Sequence, residues 1–171
     1  MNIEVTKLYL GEFNINSGKV IATDPCYEPG QWYNKEVNIK SGEYICHAVY
    51  GVVPGWGERV VELYINHSTT PKKRATTIIG HCAVDSGQCG FFEAENYDKV
   101  HPAHFVDDNE ISDKWYNEAC NITLNTALHS CGIMPDELGV VSESGLGDGY
   151  YNLYAGRNSK GEVTALRLRF V

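Results

Sequence analysis

The sequence predicts a β-rich α+β fold, in which a curved antiparallel sheet or sandwich carries one main helix packed across a face. Many short segments are rich in β-branched and aromatic residues, and turn residues separate them. Only one segment repeats apolar residues with the period of a helix. The 171 residues, 43% of them hydrophobic, are enough for one sizeable core, so residues 1–171 are expected to form a single domain.

The predicted strands follow one another along the chain. Apolar side chains alternate most clearly in residues 43–50 and 58–66, as expected for strands with one buried face. The last two strands are expected to form a hairpin, because Asn-Ser-Lys-Gly at residues 158–161 is a turn signal. The full set of predicted strands covers residues 3–10, 19–23, 43–50, 58–66, 74–84, 90–92, 140–141, 150–155 and 163–171.

The one predicted helix begins at Ser112 and ends near Cys131 and Gly132. Ser112 is a suitable N-cap residue, and a glycine is common just past a helix end. Residues 96–109, before the helix, have no clear period and are expected to form a long surface loop. The apolar stripe of the helix consists of Trp115, Cys120, Leu124 and Leu128.

The charge of the chain limits its partners. A formal net charge of −8 repels phosphate backbones over the surface as a whole, which disfavours general coating of nucleic acid. A local basic face stays open, built from residues 72–74 (Lys-Lys-Arg) and from cations near the C-terminus. The favoured interpretation of these cations is solvated charge on loops and strand edges. The C-terminal cations are Arg157, Lys160, Arg167 and Arg169.

The sequence also indicates the compartment. No basic start followed by an apolar run marks a signal peptide, and no stretch approaches the ~20 apolar residues that cross a bilayer. We expect a soluble protein in the cytoplasm of a bacterial host, without a membrane partner. The six cysteines are expected to be reduced thiols with no disulfide-linked partner, and the lack of a Cys-x-x-Cys pair argues against structural zinc.

Three segments each hold one aspartate on an unusual backbone: residues 23–27 (Thr-Asp-Pro-Cys-Tyr), 84–88 (Val-Asp-Ser-Gly-Gln) and 144–151 (Ser-Gly-Leu-Gly-Asp-Gly-Tyr-Tyr). Proline fixes φ and glycine admits positive φ, so such segments can aim a side chain. If the fold gathers them, the carboxylates would do acid/base chemistry or hold a divalent cation such as Mg²⁺. The predicted catalytic and metal-binding residues are Asp24, Asp85 and Asp148.

Other residues complete this predicted site. Gln88 and Tyr27 are expected to orient water as part of the catalytic set, and Arg59 to neutralise a phosphate. Ser86, Trp56, Gly147 and Gly149 are the remaining predicted substrate-binding residues, the glycines because their backbone N–H groups are unshielded.

The same segments have a structural interpretation. Aspartate beside glycine, proline or serine is typical of turns, where the carboxylate accepts hydrogen bonds from nearby backbone. The protein would then be a non-catalytic interaction module, in which the exposed ring of Trp56 forms a partner contact or covers the core.

Further chemistry is weakly supported. Ser86 could act as a nucleophile with His81 or His129 as base, but the flanking glycines of a nucleophile elbow are missing. His101 and His104 could bind a metal with Asp107 or Asp108, yet they lie in a polar loop. Hydrolysis of a small nucleotide is also weakly supported, because the chain lacks a Walker-type loop.

These motifs resemble a group of small, largely uncharacterised proteins of phages and of bacteria that carry phage elements. The members are similar in having, in order, Ser/Thr-Asp-Pro-Cys-Tyr, Trp-Gly-x-Arg-Val, Val-Asp-Ser-Gly-Gln, Trp-Tyr-x-x-Cys and Ser-Gly-x-Gly-Asp-Gly-x-Tyr. The matching residues here are 23–27, 56–60, 84–88, 115–120 with one extra intervening residue, and 144–151.

The resemblance implies a phage accessory protein, and some similar phage proteins inhibit type II CRISPR effector nucleases. It therefore implies a counter-defence, anti-CRISPR-like protein whose partner is the CRISPR effector nuclease or its guide RNA. Cleavage of the guide RNA by a metal-assisted ribonuclease and simple occlusion of that RNA are both open. An acidic surface would suit the positively charged channel that holds the guide RNA in such nucleases.

Overall fold

The structure is a computed structural model that describes residues 4–31, 34–100 and 110–171. Within these residues the chain forms eleven strands and two α-helices, and two short 3₁₀ turns, Thr126–Leu128 and Pro135–Glu137, flank the eighth strand. In chain order the elements are β1 Val5–Ile15, β2 Lys19–Thr23, β3 Lys35–Asn38, β4 Gly42–Val53, β5 Gly57–His67, β6 Thr77–Val84, β7 Gln88–Glu93, α1 Ala94–Val100, α2 Glu110–Thr123, β8 Cys131–Ile133, β9 Gly139–Glu143, β10 Gly149–Arg157 and β11 Val163–Arg169.

The strands form two antiparallel sheets. The six-stranded sheet has the order β1-β4-β5-β11-β10-β6, and the five-stranded sheet has the order β3-β2-β7-β9-β8. The expected α+β fold with one main helix on a sheet is therefore wrong: the protein is mostly β, with two antiparallel sheets and two short helices. The prediction failed because β3, β8 and α1 span only four, three and seven residues, too few to show a period.

Alternating side chains of the five-stranded sheet face two different cores. Phe91 and Val140 point into the core shared with the six-stranded sheet, which contains buried residues of every strand. The next residues along the same strands, Phe92 and Val141, point the other way and join a second cluster with Trp115 of α2. A strand turns successive side chains to opposite faces, so both faces of this sheet are covered, one by the other sheet and one by the helices.

The main helix is shorter than predicted. It ends at Thr123 rather than near Cys131, and Leu124 is 80% exposed, so the apolar stripe does not continue. His129 and Ser130, at φ of 52° and 57°, turn the chain away from the helix direction and into β8. The predicted surface loop at residues 96–109 begins inside α1, and its remainder, with His101 and His104, lies outside the described residues.

Neither of the two α-helices in the described residues is long and apolar enough to span a bilayer.

Candidate functional site

The three aspartate segments meet at one turn, residues 85–87, between β6 and β7. Asp24 directly follows β2, which pairs with β7, and its side chain is fully buried. Its Oδ2 atom accepts hydrogen bonds from the backbone N–H groups of Asp85 at 2.9 Å and Ser86 at 2.7 Å. The first two segments therefore come together because the Asp24 carboxylate binds the backbone of Asp85 and Ser86, and not because two carboxylates face each other.

The second carboxylate oxygen of Asp24 also accepts hydrogen bonds. Oδ1 accepts from the Ser86 hydroxyl at 2.6 Å and from the Cys26 backbone N–H at 2.8 Å. Four donors around one carboxylate satisfy most of its hydrogen-bonding capacity. Bonds of this kind, with an ionised acceptor, are the stronger ones in proteins. Asp24 thus acts as an internal clamp on the turn and does not open onto solvent.

The third segment holds the turn from another side. Asp148 is exposed, and its Oδ1 accepts from the Gly87 N–H at 3.0 Å, while the Ser144 N–H donates to the Gly87 carbonyl at 2.9 Å. Gly87 has a φ of 69°, a left-handed conformation that suits glycine. Asp85 itself is exposed at the turn. In the described parts of the chain, no three His, Cys, Asp or Glu side chains come together in a geometry that could hold a metal ion.

The other two predicted catalytic residues support the same region. Gln88 is buried, and its Oε1 accepts from the Thr123 hydroxyl of α2 at 3.0 Å while its Nε2 lies 3.4 Å from the Ser86 Oγ. The Tyr27 N–H donates to the Asp24 carbonyl at 3.1 Å, and the Tyr27 carbonyl accepts from the Tyr97 hydroxyl at 2.6 Å. Through these bonds the turn is tied to both helices.

A surface cleft lies against the Gly87 side of this turn. Its cavity of about 240 Å³ is lined by Trp56, Arg59, Gly87, Glu143, Ser144, Gly145 and Gly147. A second cavity of about 120 Å³ shares Arg59 and Glu143 with the first. It adds Tyr50, Glu58, Thr126, His129 and Ser130. We call the two together the Arg59–Glu143 cleft.

Glu143 is the acid of the cleft. Burial raises its pKa, and two effects oppose that shift: a hydrogen bond from the Val60 N–H at 2.9 Å and the positive charge of Arg59. A half-buried carboxyl of this kind takes up a proton more readily than a surface glutamate. The cleft therefore holds the cation Arg59 beside a half-buried acid, Glu143, whose pKa is raised.

Aromatic rings border the cleft on two sides. Trp56 is 51% exposed in the turn between β4 and β5. The His129 ring stacks on Tyr50 with centroids 4.3 Å apart and an interplanar angle of 28°. His129 and the following Ser130 both have left-handed backbone conformations, which cost non-glycine residues about 1 kcal/mol or more each. Strain of this kind is concentrated at binding sites more than elsewhere.

The structure brings together part of the predicted substrate-binding set. Trp56, Arg59 and Gly147 line the cleft. Ser86 instead bonds Asp24 behind the turn, and Gly149 pairs with Val84 in the β10–β6 ladder. Sequence reasoning missed Glu143 and Tyr50, and it considered His129 only as a base for Ser86. One signal pointed to Glu143: it is a charged residue at the end of a run of small and apolar residues, 139–142.

Comparison with known proteins gives a family and no function. No curated protein and no solved structure matches the chain. The family model described as "Protein of unknown function (DUF4241)" matches residues 75–168, which is more than half of the chain. That range holds the 85–87 turn, Glu143 and Asp148, whereas Asp24, Trp56 and Arg59 precede it. The chain belongs to the DUF4241 family.

Proposed function

We propose that the protein is a non-catalytic binding protein that grips a partner protein in the Arg59–Glu143 cleft, with its acidic turns serving as framework. The observation that carries this proposal is the saturation of Asp24, whose carboxylate already accepts four hydrogen bonds inside the protein. A group so occupied has little capacity left for a metal ion or an attacking water.

The cleft has the features of a contact site. Trp56 offers a half-exposed indole, and tryptophan and arginine are both enriched among the residues that dominate binding energy. Arg59 lies at the centre, because it lines both cavities. A partner segment with an apolar side chain for Trp56 and a carboxylate for Arg59 fits this arrangement.

For the partner, we propose a type II CRISPR effector nuclease loaded with its guide RNA, so that the protein acts in phage counter-defence. Support comes from the resemblance of the motifs to phage and prophage proteins and from the net charge of −8. Negative charge complements the basic channel of such nucleases and speeds association.

The test is a binding assay with a reconstituted effector–guide complex. We expect Trp56→Ala and Arg59→Ala each to weaken binding by about tenfold or more, as for residues of a binding hot spot. Asp85→Asn, which changes an exposed carboxylate outside the cleft, is the matched control and should bind like the wild type. Equal affinity of all four proteins would remove the cleft from the interaction.

A second candidate function is metal-independent cleavage of the guide RNA, with Glu143 as the proton donor. The specific observation in its favour is the burial of Glu143 in the cleft, which raises its pKa, so that this carboxyl keeps its proton to higher pH than a surface glutamate does. Guide RNA incubated with the protein in EDTA and run on a denaturing gel separates the two candidates. Intact RNA supports binding alone, whereas shortening that Glu143→Gln abolishes supports cleavage.

A further inference from the structure

A row of large side chains crosses the outer face of the six-stranded sheet, on the side turned away from both helices. The pairing register places one residue from each strand next to its neighbour, and their adjacent residues in sequence, such as Leu63 and Leu168, point into the core. From β1 to β6 the row consists of Tyr9, His47, Tyr64, Arg167, Tyr154 and Ile78.

The rings of this row are already in contact. His47 stacks on Tyr64 with centroids 5.1 Å apart and an interplanar angle of 12°, and Tyr9 meets His47 edge-on at 5.7 Å. The guanidinium of Arg167 lies 4.4 Å from the centroid of Tyr154. Tyr9 is 59% exposed at the start of the row. Because these side chains are already held in place before binding, a ligand would cause a smaller loss of side-chain entropy when it binds.

A cationic groove runs beside the rings. Its cavity of about 270 Å³ is lined by five cations, Lys7, Lys72, Lys73, Arg74 and Arg167, against the single carboxylate of Glu62. The ammonium of Lys7 lies 5.2 Å from the centre of the Tyr64 ring. This concentration of positive charge stands out in a chain whose net charge is −8.

Within residues 4–31, 34–100 and 110–171, ion pairs neutralise only a small part of this positive charge. Among the described residues, Arg167 pairs with Glu62 at 2.9 Å, and the other four cations of the groove form no ion pair. In the same part of the structure, the Arg167 Nε and the His47 Nδ1 are buried without a hydrogen-bond partner. Buried polar atoms normally find a partner, so these two atoms leave hydrogen-bonding capacity unused beneath this face.

The basic loop is held in place over the groove. The Asn66 side chain, which is buried in β5, donates to the Lys73 carbonyl at 2.6 Å, and the Lys73 N–H donates to the Thr70 carbonyl at 3.1 Å. The side chains of Lys72, Lys73 and Arg74 themselves stay exposed. The backbone of this loop is thus bonded to the sheet, while its cations are exposed on a loop, as the favoured interpretation from sequence expects.

We propose that this outer face binds single-stranded nucleic acid, with phosphates at the groove cations and bases against the aromatic row. Single strands fit best because their unstacked bases can lie on aromatic rings while a basic groove follows the backbone. An acidic peptide would use the cations but would leave the aromatic row without a matching group. The inference does not depend on the Arg59–Glu143 cleft, which shares no lining residue with this groove.

The experiment is fluorescence anisotropy with a labelled 20-nucleotide RNA, the DNA of the same sequence, its duplex and a labelled poly-glutamate peptide. We expect the single strands to bind, and the duplex and the peptide to bind at least tenfold more weakly. The triple variant K72A/K73A/R74A should lose at least tenfold in affinity. For this variant, the slope of log affinity against log salt concentration should be less negative by about 2. Each of the three lost phosphate contacts on a single strand contributes about 0.7 to that slope.

Two further variants complete the test. Tyr9→Ala removes the exposed ring without changing charge, so it should weaken single-strand binding while leaving the salt slope unchanged. Lys160→Ala, in the β10–β11 turn and outside the groove, should bind like the wild type. Circular dichroism checks that each variant is folded. Failure of both single strands to bind at low salt, equal or tighter binding of the duplex or the peptide, or unchanged affinity of the triple variant would each overturn the proposal.

Discussion

At the residue scale, Asp24 shows what the motifs could and could not reveal. The sequence predicted that Asp24, Asp85 and Asp148 would meet, and hydrogen bonds do connect all three segments at the 85–87 turn. What the sequence could not reveal is the direction of the Asp24 and Asp148 carboxylates, because both accept hydrogen bonds from backbone amides about sixty residues away along the chain. An aspartate that clamps a turn and one that faces a substrate have the same local sequence.

Asp24→Asn should destabilise the protein by about 2–3 kcal/mol. The side-chain NH₂ group of asparagine would replace one carboxylate oxygen and would face N–H and O–H donors, and the remaining bonds would lose their ionised acceptor. The measurement is urea-induced unfolding at pH 7. Asp85→Asn changes an exposed carboxylate of the same turn, so it should stay within about 0.5 kcal/mol of the wild type. An Asp24→Asn variant as stable as Asp85→Asn would contradict the clamp.

The raised pKa of Glu143 makes its contribution to the free energy of unfolding depend on pH with the opposite sign to that of the usual carboxylate. Because burial raises its pKa in the folded protein, the folded state binds the proton more tightly than the unfolded chain, whose glutamates titrate near pH ~4.3. This contribution to the free energy of unfolding is fully present below that value and falls as pH rises through the folded pKa.

Glu143→Gln removes that titration and keeps an oxygen for the Val60 N–H. The variant should therefore be more stable than the wild type at pH 7, and the difference should shrink as pH falls to 4. Thermal melts of both proteins at several pH values measure this. A difference that grows on acidification would mean that the pKa of Glu143 is lowered by folding.

At the element scale, most strands were predictable from the sequence, including the five-residue β2 at its observed bounds, whereas β3 and β8, with four and three residues, were missed. Strands β4, β5, β10 and β11 have seven or more residues, and each was predicted near its observed bounds. Their partners in space are set by tertiary packing, and for this reason the sequence could not divide the strands between two sheets. The cleft was predictable only in part, because its residues come from four separate regions of the chain.

The β7–β9 pair depends on two glycines, Gly90 and Gly139, that let the strands lie close together. A Cβ atom on Gly90 would stand 2.4 Å from the Val140 carbonyl oxygen, whereas one on Gly149 would meet nothing nearer than 3.6 Å. Gly90→Ala should therefore lose about 2 kcal/mol or more of stability, and Gly149→Ala should stay within about 1 kcal/mol of the wild type. Chemical denaturation of both variants gives the comparison. Equal stability would show that the strands separate without penalty.

At the scale of the whole molecule, the three layers explain how an acidic protein can present two dissimilar surfaces. The five-stranded sheet is covered on both faces, so the two surfaces to which we assign binding are the outer face of the six-stranded sheet and the cleft at the 85–87 turn. Both surfaces use side chains that the core does not need. Substitutions there should therefore separate binding from folding.

The layers also protect most of the thiols. All six cysteines are free, and Cys46, Cys82, Cys89 and Cys131 are buried, which leaves Cys26 and Cys120 partly accessible. Burial and the neighbouring charge of Asp24 raise the pKa of the Cys26 thiol, so its reactive thiolate is scarce at neutral pH. Native protein should therefore show one fast thiol, Cys120, and one slow thiol, Cys26, towards Ellman's reagent.

The other four thiols should react only as the protein unfolds, and all six should react in concentrated urea. Cys120→Ser should remove the fast phase alone, and mass spectrometry of the labelled protein identifies the modified positions. Because the four protected thiols belong to β4, β6, β7 and β8, they report on both sheets. Their simultaneous exposure in urea would show that the two sheets unfold as one unit, whereas early labelling of Cys89 and Cys131 alone would show that the five-stranded sheet opens first.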